Sequence, residues 1–284
     1  MEILDILPRK LQHGLSSLPD DVEELRLRAG QEVQVLTTQG ELSPMPGEVL
    51  TKDELWRITE AAAGGSLWSC ETQLRRGYLS LAGGYRLGIC GSVNLEHGEI
   101  RSFSDISSLC LRYPRQAIGC AESLVSLWKN GFESTLIIAP PGGGKTTLLR
   151  ELVRILSASG TRVGLADERG EVAALYGGIP QLEVGPRTDV MDGAPKAKAV
   201  MTLLRCMNPE VVALDEVTEE ADLGACISCF GCGVKLLATA HGADVGDLRR
   251  RRLYSELLDE KIFSRCVLIR RSGRERNYEV IALD

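Results

Sequence analysis

The sequence contains no stretch that approaches the about 18 consecutive apolar residues needed for a transmembrane helix. Positive charge is not in excess either, because 33 Lys and Arg residues face 39 Asp and Glu residues and leave a net charge of −6. We therefore expect no binding of nucleic acid through bulk charge, which excludes a histone-like role. Internal repeats and low-complexity segments are absent, and 284 residues suffice for one large domain or two modest ones.

Signals for export and for disulfide formation are also missing. The chain starts with a partly acidic segment that runs into Pro8 and Arg9, which is unlike the basic and then apolar start of a secretory signal. The nine cysteines are an odd number, which argues against a complete disulfide framework. Both observations predict reduced thiols, and we expect a cytoplasmic protein that is peripheral to the cytoplasmic face of a membrane.

Two regions with different patterns of strand and helix signals predict two domains, 1–130 and 131–284. In the first region, short strands such as 24–28 are broken by glycines, and Thr51 forms a capping box with Glu54 ahead of a helix. This region is predicted to be a smaller α+β domain with a mostly antiparallel sheet, suited to contacts with other subunits or partners. A helix over about 121–129 is expected to lead into the second region.

The second region repeats a strand-then-helix rhythm that predicts an α/β domain with a parallel sheet. Its apolar strands are expected at 135–139, 162–166, 211–214 and 234–239, with helices after 145 and near 196–206 and 219–232. Four parallel strands with helical crossovers form a three-layer sandwich. A ligand is then expected at the carboxyl ends of the strands.

The segment between the first of these strands and its helix fits a phosphate-binding loop. Its glycines allow successive backbone N–H groups to face an anion, and the N-terminus of the helix adds its dipole. Lys145 is expected to reach the β- and γ-phosphates, and the hydroxyl of Thr146 to bind Mg²⁺. Ala139 adds only a methyl group where the motif usually has glycine. The predicted nucleotide-binding residues are Ala139, Pro140, Pro141, Gly142, Gly143, Gly144, Lys145, Thr146 and Thr147.

Two carboxylates follow the strand at 211–214. We expect Asp215 to bind Mg²⁺ together with Thr146, and Glu216 to polarise the water that attacks the γ-phosphate. An adjacent pair of acids favours hydrolysis over passive nucleotide binding. The alternative is a buried strand that simply ends in two solvated acids.

Two other strand ends carry polar side chains toward the same place. Glu168 follows the strand at 162–166, and His241 follows the strand at 234–239. Because the carboxyl ends of parallel strands share one edge of the sheet, both are candidates for orienting the water or sensing the γ-phosphate. A solvated carboxylate and a capping histidine are the alternatives.

The cysteines near position 229 suggest an iron–sulfur site, but a helix explains them better. Three cysteines at intervals of three fan across about 120° of a helix and cannot converge on one cluster. We therefore expect no metal at Cys226, Cys229 and Cys232. The buried stripe of that helix is predicted to consist of Leu223, Cys226, Ile227 and Phe230.

A basic run spans Arg249–Arg252 and is followed by Arg270, Arg271, Arg274 and Arg276. A solvated helix face is the ordinary explanation of such a run. Contact with acidic lipid headgroups or with an acidic partner is the alternative.

Several motifs resemble those of the type II and type IV secretion ATPases. These enzymes carry Leu-Arg, then Pro, then a strand that ends in glutamate, and later a histidine motif, which correspond here to positions 204–205, 209, 216 and 241. Their acidic motif corresponds to Asp167 and Glu168. The resemblance implies a RecA-like P-loop core, ATP and Mg²⁺ as ligands, and a homo-oligomeric ring of six subunits.

Over nearly the whole chain, the sequence resembles the stage III sporulation protein AA family of endospore-forming bacteria. The shared segments include 24–30, 76–88, 107–112, 140–150, 167–169 and 187–192. The resemblance implies an ATPase that powers or assembles an export channel between mother cell and forespore, with membrane proteins of the export apparatus as partners and no nucleic acid. Ala139, and Thr218 in place of a common glycine, depart from the pattern without removing a catalytic group.

In the secretion ATPases, an arginine from the N-terminal domain or linker of a neighbouring subunit completes the site. Arg112 is the first candidate for this catalytic role here, ahead of Arg86 and Arg187. Two alternative functions share the same core: a motor stimulated by nucleic acid, and a scaffold that binds ATP without hydrolysing it. Salt-sensitive stimulation by DNA would identify the first, and a phosphate-release assay the second.

Overall fold

The computed structural model describes residues 3–128, 131–272 and 275–283. The chain divides into two compact units, of which the first comprises the residues up to Arg115 together with Ala174–Gln181. The second unit comprises Gln116–Ala173 and the residues from Leu182 onward. This division differs from the boundary expected at residue 130, because Ala121 and Leu124 are buried in the core of the second unit.

The strands and helices of both units are numbered along the chain. The strands are β1 (Val22–Arg28), β2 (Gln34–Thr37), β3 (Gly40–Leu42), β4 (Tyr78–Ser80), β5 (Arg86–Glu96), β6 (Glu99–Arg112), β7 (Thr135–Ala139), β8 (Val163–Asp167), β9 (Leu175–Tyr176), β10 (Ile179–Pro180), β11 (Thr188–Asp192), β12 (Val211–Leu214), β13 (Lys235–His241), β14 (Arg265–Ser272) and β15 (Glu275–Ala282). The α-helices are α1 (Arg9–Gly14), α2 (Lys52–Ala62), α3 (Glu71–Arg75), α4 (Glu122–Val125), α5 (Lys145–Ala158), α6 (Lys196–Cys206), α7 (Glu220–Gly231), α8 (Val245–Arg249) and α9 (Arg252–Asp259). Short 3-10 helices lie at Ile3–Ile6, Leu67–Cys70, Ala82–Gly84 and Ser126–Trp128.

The first unit is built on an antiparallel sheet with the strand order β3-β2-β1-β6-β5-β4. Helix α2 begins with the predicted capping box, in which the Thr51 hydroxyl accepts from the Glu54 N–H and the Glu54 carboxylate accepts from the Thr51 N–H. The helix buries Leu55 and Ile58 in the same core as Leu109 and Leu111 of β6. The α+β architecture and its antiparallel sheet are as predicted.

The second unit contains a seven-stranded sheet with the order β11-β8-β12-β13-β7-β14-β15. Its neighbours pair in parallel except β14 and β15, which pair antiparallel. The four predicted strands are the adjacent central ones, β8, β12, β13 and β7. The outer strands β11, β14 and β15 were not predicted, although β14 lies between β7 and β15 and buries residues 266–269. The sequence of β11 mixes polar and apolar residues and lacks the continuous apolar run of a central strand.

Helices cover both faces of this sheet, as predicted. Leu148, Leu149 and Leu152 of α5 belong to the core on one face, whereas α6, α7 and α9 contribute to the core on the other. The register brings the carboxyl ends of the central strands to one edge, with Ala139 of β7 opposite His241 of β13. The residues that follow β12 therefore lie beside the loop that follows β7.

Helix α7 differs from its predicted packing in one respect. Leu223, Cys226 and Cys229 are buried, but Ile227 and Phe230 are 39% and 53% exposed. The prediction was wrong for these two residues, because the buried stripe of α7 runs through Asp222, Ala225, Cys226 and Cys229, which has the same helical spacing but begins one residue earlier than expected. Burial raises the pKa of Cys226 and Cys229 to about 12, so both are protonated thiols at neutral pH.

The basic run does not form the single helix face that was expected, because Arg249 ends α8 and Arg252 begins α9. Its side chains are exposed and pair locally, with Arg249 bonded to Asp259, Arg251 to Asp247 and Arg252 to Glu256.

Arg274 lies outside the described residues, as do 129 and 130 at the end of the predicted helix over 121–129. That helix is shorter than expected, with α4 followed by the 3-10 turn at Ser126–Trp128. Across the described residues, no helix has both the length and the apolar character to cross a membrane.

Candidate active site

The glycine-rich loop connects β7 to α5 at the carboxyl edge of the sheet. Gly142 and Gly144 have positive φ angles of 67° and 96°, which other residues rarely adopt. Gly143 is required for a different reason, because a Cβ atom there would lie 2.7 Å from the Ala139 Cβ and 2.8 Å from the Pro140 carbonyl oxygen. The loop thus leaves no space for a side chain at position 143. The backbone continues from the loop directly into the first turn of α5.

Lys145, the first residue of α5, folds its side chain back over the loop. Its Nζ donates to the carbonyl oxygens of Ala139 at 3.2 Å and of Pro140 at 3.4 Å. The ammonium group is therefore at the mouth of the loop, where it can reach the phosphates of a nucleotide. Thr147, in the same helical turn, is partly buried, and Pro140 and Pro141 are exposed.

Thr146 and Asp215 are in direct contact. The Thr146 hydroxyl donates to Asp215 Oδ2 at 2.6 Å, and the Thr239 hydroxyl of β13 donates to Asp215 Oδ1 at 2.7 Å. Mg²⁺ binds oxygen ligands and commonly takes one or two from the protein and the rest from phosphates and water. The hydroxyl of Thr146 and the carboxylate of Asp215 fit that set of donors.

Glu216 has a strained backbone, with a φ of 57° in the left-handed region. Its N–H donates to the Thr239 hydroxyl at 2.8 Å, and the next N–H, of Val217, donates to the Thr239 carbonyl at 3.1 Å. His241 lies beside it, with Nδ1 3.9 Å from Glu216 Oε1. The conformation turns Glu216 into the same cleft as Lys145, Thr146 and Asp215.

The two acids after β8 have different surroundings. Asp167 is only 2% exposed, and its carboxylate accepts hydrogen bonds from the N–H groups of Glu171, Val172 and Ala173. Desolvation raises the pKa of Asp167, although these hydrogen bonds oppose the shift. Asp167 thus holds the following loop in place, and both Asp167 and Glu168 line the cleft with the residues named above.

Three basic residues lie at this site without a sequence pattern that predicts them there. Lys196, at the start of α6, lines the cleft with its ammonium group 3.1 Å from Glu168 Oε2, and the exposed Arg169 also lines it. Arg276 of β15 lies against the loop, so close that a Cβ atom on Gly144 would be 2.8 Å from its Nε. In the sequence, Arg276 is one of several arginines that follow the basic run, and nothing indicates that it lies near the loop. Lys196 is at the predicted start of a helix, and no motif predicts that it lies in the cleft.

The three candidate arginines lie in different surroundings. Arg112 belongs to the first unit and is exposed, with its Nε 3.2 Å from Glu24 Oε1. The guanidinium of Arg86 stacks on the Tyr78 ring at 3.5 Å from the centroid. Arg187 precedes β11, at the amino edge of the sheet and hence opposite to the glycine-rich loop, and donates to the Gly160 carbonyl at 3.1 Å.

Comparison with known sequences identifies relatives along the whole chain. Residues 1–281 match the family described as sporulation stage III, protein AA. The chain is 35% identical over 283 residues to the stage III sporulation protein AA of Bacillus subtilis (strain 168), a match that covers 95% of this chain and 91% of that protein.

Solved structures share the fold at low sequence identity. The chain is similar to the ATPase DotB of Legionella pneumophila, with a TM-score of 0.62, 16% identity, and 97% of this chain and 80% of that one covered. It is also similar to the pilus retraction motor PilT with bound ADP, with a TM-score of 0.65, 13% identity, and 100% and 84% of the two chains covered. The fold is therefore the RecA-like P-loop fold that these proteins share, preceded by an N-terminal domain, and the chain belongs to the sporulation stage III protein AA family.

Proposed function

We propose that this protein is a Mg²⁺-dependent ATP hydrolase. The contact between the Thr146 hydroxyl and Asp215 Oδ2 at 2.6 Å carries the proposal, because it joins the end of the glycine-rich loop to the acidic strand end. Glu216 follows Asp215 in a strained conformation, which is common at functional sites. The structurally similar proteins, the ATPase DotB and the pilus retraction motor PilT with bound ADP, support this reaction.

Four side chains of the cleft, together with the loop N–H groups, have separate roles in the proposed reaction. The loop N–H groups and Lys145 bind the β- and γ-phosphates, while Thr146 and Asp215 would hold Mg²⁺. Bound Mg²⁺ supplies positive charge that offsets the charge developing on the phosphate oxygens. Glu216 orients a water molecule and accepts its proton as the oxygen attacks the γ-phosphorus. The bond to the β–γ bridging oxygen breaks, and ADP and phosphate leave.

Glu168 and His241 are assigned supporting roles. His241, whose Nδ1 lies 3.9 Å from Glu216 Oε1, is proposed to contact the γ-phosphate or its water, and Glu168, which lines the cleft, is proposed to orient the water. Arg112 is proposed to act from a neighbouring subunit, because its side chain is exposed and it ends β6, close in sequence to the start of the second unit. An arginine at the transferred phosphate increases the rate of phosphoryl transfer about 10³–10⁵-fold.

At the level of the assembly, we propose a homo-oligomeric ring of six subunits, peripheral to the cytoplasmic face of a membrane. Hydrolysis in this ring would power or assemble an export channel between mother cell and forespore during sporulation, through membrane proteins of that apparatus. The support is the family membership and the fold shared with a pilus retraction motor and with DotB. We expect no role for nucleic acid.

Phosphate release from ATP by the full-length chain tests this proposal. We expect release that requires Mg²⁺, rises in specific activity with protein concentration, and coincides with a larger native mass. Binding of ATP without release would identify the protein as a nucleotide-dependent scaffold. Stimulation by DNA that falls steeply with salt would identify a nucleic-acid motor.

A further inference from the structure

A buried lysine lies in the proposed active site without contacting the glycine-rich loop. Lys196 is 8% exposed, and its Nζ lies 3.1 Å from Glu168 Oε2, 3.2 Å from Thr218 Oγ1 and 3.5 Å from Asp222 Oδ2. A charged group removed from water is costly unless it is paired. An ammonium group has three N–H donors, and three oxygen atoms surround this one. Two of these donors are hydrogen-bonded, to Glu168 and Thr218, and Asp222 is an ion-pair partner, so the protein itself engages this ammonium group.

The partners of Lys196 belong to separate segments that end at the active site. Glu168 follows β8, Thr218 lies two residues after Glu216, and Asp222 is in the first turn of α7. Lys196 itself begins α6. One side chain thus connects the ends of two central strands and the starts of two helices.

Asp222 extends this connection to the backbone next to Glu216. Its Oδ2 accepts from the N–H of Thr218 at 3.0 Å and from the N–H of Glu219 at 3.2 Å. The Thr218 hydroxyl accepts from Lys196 and lies 3.4 Å from the same Oδ2. The side chain at position 218 is therefore part of the connection, because a residue without a hydroxyl would provide no acceptor for Lys196.

Glu216 needs support on both sides because its backbone is strained. On the amino side, its N–H is bonded to Thr239. On the carboxyl side, the segment from Thr218 onward is held by Asp222, which is paired with Lys196. Without Lys196, the buried carboxylate of Asp222 would lose this cationic partner, and Glu168 would lose its ion pair with Lys196.

We infer that Lys196 is a positioning residue that holds Glu216 and Glu168 in place for hydrolysis and does not itself bind the nucleotide. This inference rests on the proposed ATPase function. The two lysines of the cleft then have different roles. Lys145 contributes to nucleotide affinity, whereas Lys196 holds the groups that orient the attacking water. Loss of Lys196 should accordingly reduce kcat and leave the affinity for ADP unchanged.

The test compares Lys196→Met with Lys198→Met in the full-length chain. Lys198 is exposed on the same helix and is the matched control. We expect Lys196→Met to reduce kcat about 10- to 100-fold, the scale that a displaced catalytic group can cost, with Kd for ADP within about twofold of wild type. Lys196→Arg should recover part of kcat, and Thr218→Val, which keeps the buried charges, should reduce kcat less. Unchanged kcat in Lys196→Met, or a parallel loss of ADP affinity, would overturn the inference.

Hydrogen exchange gives a readout that does not need hydrolysis. The amides of Thr218 and Glu219, which are bonded to Asp222, should exchange faster in Lys196→Met than in Lys198→Met. Equal exchange in the two variants would overturn the inference. If the wild-type chain released no phosphate, the ATPase proposal would fail, while exchange would still decide whether Lys196 holds this segment.

Discussion

The Thr146 hydroxyl donates a 2.6 Å hydrogen bond to Asp215 Oδ2 across 69 residues of chain. This contact connects the first turn of α5 to the end of β12 and fixes the position at which Mg²⁺ would bind. The second carboxylate oxygen of Asp215 accepts a hydrogen bond from the Thr239 hydroxyl, so Asp215 is held from two sides. Glu216 shares that threonine, so the proposed metal ligand and the proposed base are set by the same strand, β13.

Asp215→Asn should weaken the dependence on Mg²⁺. The amide is nearly the same size but lacks the negative charge that a divalent ion requires, so hydrolysis should need more Mg²⁺ by at least about 10–100-fold, the range for losing a supporting group at a metal site. A titration of phosphate release against Mg²⁺ measures this. Asp53→Asn, on the exposed first turn of α2, is the control. A half-saturating Mg²⁺ concentration equal to that of wild type would remove Asp215 from the metal site.

Gly143→Ala should weaken nucleotide binding because the new methyl group meets the Ala139 Cβ and the Pro140 carbonyl. The double variant Ala139→Gly/Gly143→Ala should recover part of the affinity, since one of the two clashes disappears. Ala139→Gly alone should bind nucleotide as wild type does. Calorimetry with ADP compares the four proteins. Equal affinity in Gly143→Ala would show that the loop opens without cost.

The cysteines should react with alkylating reagents according to burial. Cys206 and Cys232 are exposed and should be labelled quickly at pH 8, whereas Cys226 and Cys229, whose pKa values are raised to about 12, should be labelled only on unfolding. The unfolded thiols ionise near pH 9 and the folded ones do not, so these residues lower stability as pH rises above about 9.

Mass spectrometry after timed labelling measures this pattern, and unfolding midpoints between pH 8 and 10 measure the second effect. Purified protein should also carry no stoichiometric iron or zinc. Rapid labelling of Cys226 and Cys229 in the folded protein, or acid-labile sulfide in the preparation, would contradict the placement of these thiols in the core.

Arg112→Ala and Glu216→Gln should each be inactive alone and partly active when mixed. If Arg112 acts on the site of a neighbour, a mixed ring contains some interfaces with one intact arginine and one intact glutamate. Steady-state phosphate release from mixtures of the two variants measures this. Arg101→Ala, on the same strand β6, is the control and should hydrolyse ATP as wild type does. Activity that does not depend on protein concentration, in a strict monomer, would contradict the shared site.

The centre of the fold could be predicted because each central strand is a continuous apolar run and a helix separates each of these strands from the next along the chain. That rhythm determines that β7, β8, β12 and β13 are parallel and that their ends share one edge. The proximity of Thr146, Asp215, Glu216 and His241 follows from it, without knowledge of any side-chain contact.

The remaining features depend on contacts between distant segments. Lys196 looks like any lysine at the start of a helix, and only the loops after β8 and β12 bury it. Arg276 reaches Gly144 through the antiparallel strand β15, which was not predicted. Periodicity identified the apolar residues of α7, but it could not show that Phe230 faces away from the sheet.

Hydrolysis through Glu216 is tested most directly by ATP binding and turnover in two variants of the same cleft. Lys145→Ala should lose tight nucleotide binding. Glu216→Gln should bind ATP with the affinity of wild type and lose about 10²–10⁴-fold in kcat, because only the group that takes the proton from water is neutralised. A Glu216→Gln protein that hydrolyses ATP at the wild-type rate would contradict the assignment of the catalytic base.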